Sequence, residues 1–228
     1  GKVTTELRDS TLQRLAGTTV LDVAVDGADL VIEAVPEVLE LKQSLFSSIE
    51  SHVDEHTVLG TNTSSLSVAK IGSVLANPER LVGLHFFNPV HIMKLLEVIS
   101  HPGTADYVMD KIRAFGADIG KECIYVKDFP GFATSRLGVC LGMEAIRMLE
   151  QGVASAEDID TAMVLGYRHP VGPLKLTDMV GLDVRLQIGE YLARELGNPA
   201  FEPPDLMREM VEAGKLGKKS GQGFYDWS

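Results

Sequence analysis

The chain has 228 residues, of which 45% are hydrophobic and 23% are charged, and 21 Lys and Arg against 32 Asp and Glu give a net charge of -11. This composition is typical of a folded globular protein and excludes disordered, collagen-like and disulfide-stapled classes. A surface this acidic also argues against nucleic acids and anionic membranes as partners. The length is sufficient for one large domain or two modest ones.

The cysteines and the hydropathy favour a cytoplasmic protein. Cys123 and Cys140 form no CxxC pair, which predicts two reduced thiols rather than a disulfide framework. The sequence contains no run of about 18 uninterrupted apolar residues, so no membrane span is predicted. The chain opens with Gly1, and nothing there resembles a signal peptide.

The first part of the chain alternates short apolar runs with segments of helical spacing. Strands are predicted at 30–35, 57–60, 81–87, 94–100 and 122–127, and helices at 3–16, 39–52, 67–75 and 104–117. Such alternation indicates βαβ units and a mainly parallel sheet. Strand 94–100 follows its predecessor without an intervening helix, so we expect it to run antiparallel.

Beyond Asp128 the strand signals almost vanish. Helices are predicted at 132–150, 172–179, 182–196 and 204–214, and Ser155 with Asp158 forms a carboxylate variant of the capping box. We therefore predict an α/β fold in which a mainly parallel sheet domain (1–128) is followed by an all-α domain (129–228). The apolar helices of the second domain, particularly the stripe on 137–149, also predict a dimer surface.

Polar side chains follow three of the predicted strands. Glu37 follows strand 30–35, the turn 61–65 follows strand 57–60, and Asn88 follows strand 81–87. Ligands of open parallel sheets bind beyond the carboxyl ends of the strands, so these residues are predicted to converge on one site. The alternative is that they are ordinary turn residues.

His85 is the most informative single residue, because it lies in an apolar strand one strand away from Glu97. A carboxylate beside an imidazole fixes its tautomer and favours the cation formed when the ring accepts a proton, which suits a general base. Ser64 could orient a substrate oxygen. Spacing alone favours the alternative of a satisfied core histidine with an unrelated surface glutamate.

Other motifs are absent from the sequence or remain ambiguous. It contains no GxGxxG, P-loop, GxSxG or HExxH motif, and its remaining histidines lack metal-ligand spacing, so no metal site is predicted. The basic cluster of Lys215, Lys218 and Lys219 is either a solvated helix end or a phosphate contact.

Several long motifs resemble the L-3-hydroxyacyl-CoA dehydrogenase (3-hydroxybutyryl-CoA dehydrogenase) family. They are NTSSLSV (62–68), GLHFFNPVHIMKLLEVI (83–99), DFPGFATSRLG (128–138), EAIRMLEQGVASAEDIDTAMVLGYRHPVGPLKLTDMVGLD (144–183) and GKKSGQGFYDW (217–227). The resemblance implies a Rossmann-like NAD-binding domain and a helical domain for substrate binding and homodimerisation. It also implies reversible, NAD-dependent oxidation of a 3-hydroxyacyl-CoA thioester to the 3-ketoacyl-CoA, as in fatty-acid β-oxidation, with a short-chain substrate such as 3-hydroxybutyryl-CoA.

The same resemblance implies roles for individual residues. His85 would take the proton from the 3-hydroxyl group, Glu97 would orient and support His85, and Ser64 and Asn88 would complete the catalytic set. Ser64 and Ser135 would bind substrate. The cofactor contacts implied are Glu37, Lys42, Asn62, Ser64 and Asn88.

The sequence departs from the family pattern in two places. Ser135 stands where the family commonly has Asn, which leaves open a related dehydrogenase of another 3-hydroxy acid. The family's strand–GxGxxG–helix unit is absent, so we expect a βαβ unit of roughly 30 residues or more to precede Gly1, and weak or no NAD binding by this chain alone. The other alternative is a non-catalytic binding or structural protein on the same scaffold.

Overall fold

The computed structural model describes residues 3–228, which form two compact units. Unit one comprises the described residues up to Thr63 together with Val68–Tyr125. Unit two comprises the short segment Ser64–Ser67 together with Val126–Ser228.

Unit one is built on a five-stranded sheet in the order β1-β2-β3-β4-β5. Its strands are β1 Leu30–Glu33, β2 Val58–Thr61, β3 Leu81–Phe86, β4 Leu95–Ser100 and β5 Glu122–Lys127. β1 pairs with β2, and β2 with β3, in parallel, whereas β3 and β4 are antiparallel. The five predicted strands and the antiparallel direction of β4 are therefore confirmed.

The helices of unit one connect and flank these strands. They are α1 Thr5–Leu12, α2 Leu21–Val25, α3 Leu39–Glu50, α4 Val68–Gly72 and α5 Asp106–Asp118, with a 3-10 turn at Pro78–Arg80. The predicted helix 3–16 is shorter than expected, and no residue of α1 is buried. Helix α2 was not predicted, because five residues are too few to show a helical period.

Apolar side chains of the strands and of α5 form the core of unit one. Its buried members are Val58, Val82, Leu84, Leu96, Val98, Val108 and Ile112. Gly60 of β2 allows close packing within this core, since a Cβ atom there would lie 2.7 Å from Cδ1 of Leu84. The strand residues form nearly continuous apolar runs, as is typical of sheets covered on both faces.

Unit two is helical, as predicted. Its helices are α6 Thr134–Glu150, α7 Ala156–Thr161, α8 Pro173–Val180, α9 Leu182–Leu196 and α10 Asp205–Glu212, with a π-helical turn at Ala162–Gly166 and 3-10 turns at Pro199–Phe201 and Lys218–Ser220. The predicted capping box begins α7, where the Ser155 hydroxyl accepts a hydrogen bond from the Asp158 N–H at 3.1 Å. No helix within residues 3–228 is long and apolar enough to cross a membrane.

The apolar stripe on 137–149 mostly faces the core of unit two itself. Met143 and Ile146 are 1% and 0% exposed, so the expectation that this stripe forms a dimer surface is wrong for these two residues. Leu137, at 72% exposure, is accessible.

The aromatic tail of the chain is held by a buried carboxylate of α8. Asp178 accepts hydrogen bonds from the backbone N–H groups of Phe224 (3.0 Å) and Tyr225 (2.9 Å) and from Nε1 of Trp227 (2.8 Å). These bonds fix the segment after Gly223 against α8.

Candidate active site

The carboxyl ends of β1, β2 and β3 lie at one edge of the sheet because the three strands are parallel. Polar side chains connect these ends. The Asn62 side-chain oxygen accepts a hydrogen bond from the Phe86 N–H at 2.8 Å, which joins the ends of β2 and β3. The Thr63 hydroxyl donates to Oε1 of Glu37 at 2.6 Å, which joins the end of β2 to the loop after β1. The structure therefore brings together the strand ends that the sequence predicted to converge.

His85 and Glu97 form a buried pair at the centre of unit one. The antiparallel register of β3 and β4 places the two residues directly opposite each other. Nδ1 of His85 lies 2.9 Å from Oε2 of Glu97, and their side chains are 7% and 0% exposed. The alternative of an unrelated surface glutamate is therefore wrong.

This hydrogen bond assigns the imidazole tautomer. A carboxylate only accepts hydrogen bonds, so Nδ1 of His85 carries a proton, and in the neutral ring the lone pair is then on Nε2. The Phe87 ring packs beside the imidazole with the ring centroids 4.5 Å apart. An imidazole, a buried carboxylate and an aromatic ring are thus in contact within unit one, and an arrangement of this kind can support general acid–base chemistry.

A second polar cluster occupies the ends of β1 and β2. Lys42 of α3 is wholly buried, and its Nζ lies 2.7 Å from Oε1 of Glu33, 3.2 Å from the Val35 carbonyl oxygen and 3.4 Å from Oε2 of Glu37. Three acceptors match the three protons of an ammonium group. The Glu37 side chain is 34% exposed, so it is the member of this cluster that reaches the surface.

Glu33, the buried centre of this cluster, was not among the predicted site residues. Its Oε2 accepts a hydrogen bond from the Thr61 hydroxyl at 2.7 Å, so it binds groups from both β2 and α3. The available signal was a single charged residue inside the apolar run LVIEAV, since an acidic residue is almost never fully buried unless it is paired.

The remaining predicted site residues are divided between the two units. Asn88 is exposed and lies just beyond the end of β3 in unit one. Ser64 is half-buried in the segment Ser64–Ser67 of unit two. Ser135 is half-buried in the first turn of α6, also in unit two.

A buried arginine fixes the helix that bears Ser135. Arg185 of α9 is 6% exposed and donates from Nη1 to the Gly138 carbonyl oxygen of α6 at 2.9 Å. A Cβ atom on Gly142 would lie 2.3 Å from the same nitrogen, so the small residues of α6 make room for the guanidinium. Burial lowers the pKa of Arg185 to about 10, which leaves it charged at neutral pH.

The basic cluster near the end of the chain has partners within unit two. Lys219 donates to Oδ2 of Asp183 at 2.6 Å, and Nζ of Lys218 lies 5.5 Å from the centroid of the Trp227 ring. No group of three or more His, Cys, Asp or Glu side chains within residues 3–228 is placed to hold a metal ion.

Two family models together match the chain over nearly its whole length. Residues 1–129 match the family model described as 3-hydroxyacyl-CoA dehydrogenase, NAD binding domain, and residues 131–227 match the C-terminal domain of the same family. A probable 3-hydroxybutyryl-CoA dehydrogenase of Bacillus subtilis is 42% identical over 227 residues, which cover 100% of this chain and 79% of the relative.

Two solved structures share the fold. FadB2 of Mycobacterium tuberculosis superposes with a TM-score of 0.96 at 41% identity, covering 100% of this chain and 80% of that one. The (S)-3-hydroxybutyryl-CoA dehydrogenase PaaH1 of Ralstonia eutropha gives a TM-score of 0.94 at 41% identity, with the same coverage.

Proposed function

Because this chain belongs to the 3-hydroxyacyl-CoA dehydrogenase family, we propose that it reversibly oxidises the CoA thioester of a short-chain L-3-hydroxy acid, such as 3-hydroxybutyryl-CoA, to the 3-ketoacyl-CoA. The family makes the chain an NAD-dependent dehydrogenase, so the non-catalytic alternative is set aside. The names of the B. subtilis and R. eutropha relatives support the choice of a short-chain substrate. The single observation on which the proposed chemistry rests is the buried His85–Glu97 pair.

The pair supports a general-base mechanism. With Nδ1 of His85 donating to Glu97, Nε2 is the atom that accepts the proton of the substrate's 3-hydroxyl group. Glu97 stabilises the resulting imidazolium, and its burial strengthens this interaction. In the reverse direction the imidazolium of His85 returns the proton to the carbonyl oxygen. NAD, when bound, supplies the hydride acceptor for C3 of the substrate.

The residues at the ends of β1 and β2 fit part of the cofactor. A dinucleotide binds at the carboxyl edge of such a sheet, and a carboxylate there suits the donor hydroxyls of a ribose. Glu37, exposed at this edge and held by Thr63 and Lys42, has that chemistry. We assign Glu37 and Asn62 to the cofactor, together with Ser64 and Asn88, and the buried Lys42 to the same site through its contact with Glu37. The glycine-rich motif for the pyrophosphate does not occur in this sequence, so no pyrophosphate contact is assigned to its residues.

We assign substrate binding to side chains that can donate a hydrogen bond to the oxygen atoms of the substrate. A hydroxyl on Ser64 and an amide on Asn88 both have this capacity. Ser135 has a shorter reach than the asparagine usual in the family and lacks its second polar group. We therefore expect its hydrogen bond to the substrate to be single.

The domain roles and the assembly follow from the same family membership. We assign residues 1–128 to NAD binding and residues 129–228 to substrate binding and homodimerisation. Exposed apolar side chains in unit two support a dimer, among them Leu137 (72%), Leu165 (75%) and Tyr167 (76%). The free Cys123 and Cys140 are in keeping with a cytoplasmic location.

A dehydrogenase of another 3-hydroxy acid is the second candidate, and Ser135 is the observation that favours it. The two candidates differ in whether the substrate is a CoA thioester. The test is NADH oxidation by the protein expressed from its full reading frame, with acetoacetyl-CoA and with free acetoacetate as alternative substrates. We expect turnover with the thioester and little with the free acid. The opposite preference would establish the second candidate, and activity with neither would contradict both.

A further inference from the structure

Glu33 uses both of its carboxylate oxygens to join three parts of unit one. Oε1 accepts from the Val35 N–H and from Nζ of Lys42, each at 2.7 Å, and Oε2 accepts from the Thr61 hydroxyl at 2.7 Å. The Glu33 side chain is 0% exposed. It therefore fixes the ends of β1 and β2 and the first turn of α3, and it has no surface from which to contact a ligand itself.

The charges of this cluster depend on one another. An isolated charge is costly to bury, and a buried ammonium is tolerated only beside a counter-charge with good hydrogen-bond geometry. Glu33 is that counter-charge for Lys42, because its oxygen is nearer (2.7 Å) than that of Glu37 (3.4 Å). Lys42 in turn contacts both the buried Glu33 and the exposed Glu37, so a shift of Lys42 changes one of the two contacts that hold Glu37, the other being the Thr63 hydroxyl.

We infer that Glu33 is a positioning residue for NAD binding, which holds Lys42 and, through it, Glu37 in the geometry that receives the cofactor. The inference rests on the proposed cofactor role of Glu37 and Lys42. Glu33 acts without touching cofactor or substrate. The competing interpretation is that Glu33 and Lys42 form a buried ion pair that only stabilises the fold.

Glu33→Gln separates these interpretations. The glutamine keeps the size of the side chain but replaces one carboxylate oxygen by an NH2 group, which cannot accept, so Lys42 loses its nearest negative charge. In the protein expressed from its full reading frame, we expect the dissociation constant of NADH, measured by fluorescence titration without acyl-CoA, and the KM for NADH to rise about fivefold or more. The kcat at saturating NADH is expected to stay within about twofold of wild type. An unchanged dissociation constant in a folded variant would overturn the inference.

Glu50→Gln is the matched control. Glu50 also pairs with a buried cation of unit one, Arg80 at 3.1 Å, but it stands at the other end of α3 from Lys42. This variant is expected to lower the melting temperature and leave the NADH dissociation constant within about twofold of wild type. If Glu50→Gln weakened NADH binding as much as Glu33→Gln, the effect would be one of general stability and the inference would fail.

If Glu33→Gln does not fold, a milder variant tests whether Glu33 acts as a positioning residue. Thr61→Val removes only the hydroxyl that donates to Oε2 of Glu33 and suits a strand position. An increase of about twofold or more in the NADH dissociation constant supports the inference, and no change overturns it. Because NADH binding is measured without acyl-CoA, these outcomes do not depend on the proposed substrate. The proposed function would fail separately, if the wild-type protein bound NADH but did not reduce acetoacetyl-CoA.

Discussion

His85 and Glu97 face each other across the antiparallel pair of β3 and β4, with Nδ1 of the imidazole 2.9 Å from Oε2 of the carboxylate. The relationship is set by backbone register, so it does not depend on flexible loops. A base held in one tautomer by a buried carboxylate is ready to accept a proton without rearrangement.

Replacing the orienting carboxylate tests how the pair acts. In Glu97→Gln the neutral amide neither stabilises the imidazolium nor fixes the tautomer, so we expect kcat to fall about 10²- to 10⁴-fold. The KM for acetoacetyl-CoA is expected to change little, since Glu97 is buried and does not reach the substrate. Steady-state NADH oxidation measures both values. A kcat within about threefold of wild type would show that Glu97 is only a structural partner of His85.

Ser135→Ala tests the proposed substrate contact in unit two. Loss of one hydrogen bond to the thioester substrate is expected to raise the KM for acetoacetyl-CoA about two- to tenfold. Restoring the family's usual residue with Ser135→Asn provides the matched comparison, and its KM is expected to be at or below the wild-type value. A KM in Ser135→Ala equal to that of wild type would remove Ser135 from the substrate site.

Glu50 makes the stability of unit one sensitive to acid. Burial acts to raise the pKa of Glu50, but hydrogen bonds from the Ala76 and Asn77 N–H groups and from Arg80 outweigh it and hold the pKa below the ordinary value of 4.5. A lowered folded-state pKa gives stability that is complete above the unfolded-state value and is lost as the pH falls towards the folded-state value.

We therefore expect Glu50→Gln to lower the free energy of unfolding by about 2 kcal/mol at pH 7, because Arg80 loses its carboxylate. Below pH 4.5 the difference between variant and wild type should narrow, since Glu50 of the wild type is protonated in the unfolded chain at a higher pH than in the folded protein. Urea unfolding at pH 7 and at about pH 3.5 measures both differences. A difference that widened in acid would contradict the assigned sign.

The hydrogen bonds from the C-terminal tail to Asp178 are expected to affect the stability of unit two. Asp178 accepts hydrogen bonds from Phe224, Tyr225 and Trp227, and an asparagine has only one accepting oxygen. Asp178→Asn is expected to destabilise unit two by about 2–3 kcal/mol and to expose the tail to proteolysis. Asp226→Asn alters an exposed carboxylate of the same tail and should leave the stability close to that of the wild type. Equal effects of the two variants would show that Asp178 does not hold the tail.

Features with a local or periodic signal could be predicted from the sequence. The apolar runs of unit one predicted its five strands, and the absence of a helix between β3 and β4 predicted their antiparallel direction. Ser155 and Asp158 predicted the cap of α7 because the two residues of a capping box lie within one turn. The pairing of His85 with Glu97 was only one of two interpretations, since the register of β3 and β4 cannot be predicted from the sequence of either strand alone.

Features formed by residues distant in the sequence could not be predicted. Glu33 meets Lys42 only because α3 folds back beside the end of β1, and it meets Thr61 only because β2 pairs with β1. Asp178 and Trp227 are separated by several helices and turns, so no periodicity connects them. For the apolar stripe of α6, the sequence predicted a dimer surface where the structure has Met143 and Ile146 in the core of unit two. Periodicity reveals an apolar face but not which part of the protein covers it.

The activity of His85→Gln tests the central claim most directly. With NADH and acetoacetyl-CoA, and with protein from the full reading frame, kcat is expected to fall about 10²- to 10⁴-fold while the melting temperature and NADH binding stay near wild type. The matched control is His101→Gln, which changes another buried histidine of unit one that bonds to the Pro78 carbonyl oxygen and is expected to keep kcat. Near-wild-type turnover by His85→Gln, or an equal loss in both variants, would contradict the assignment of His85 as the general base.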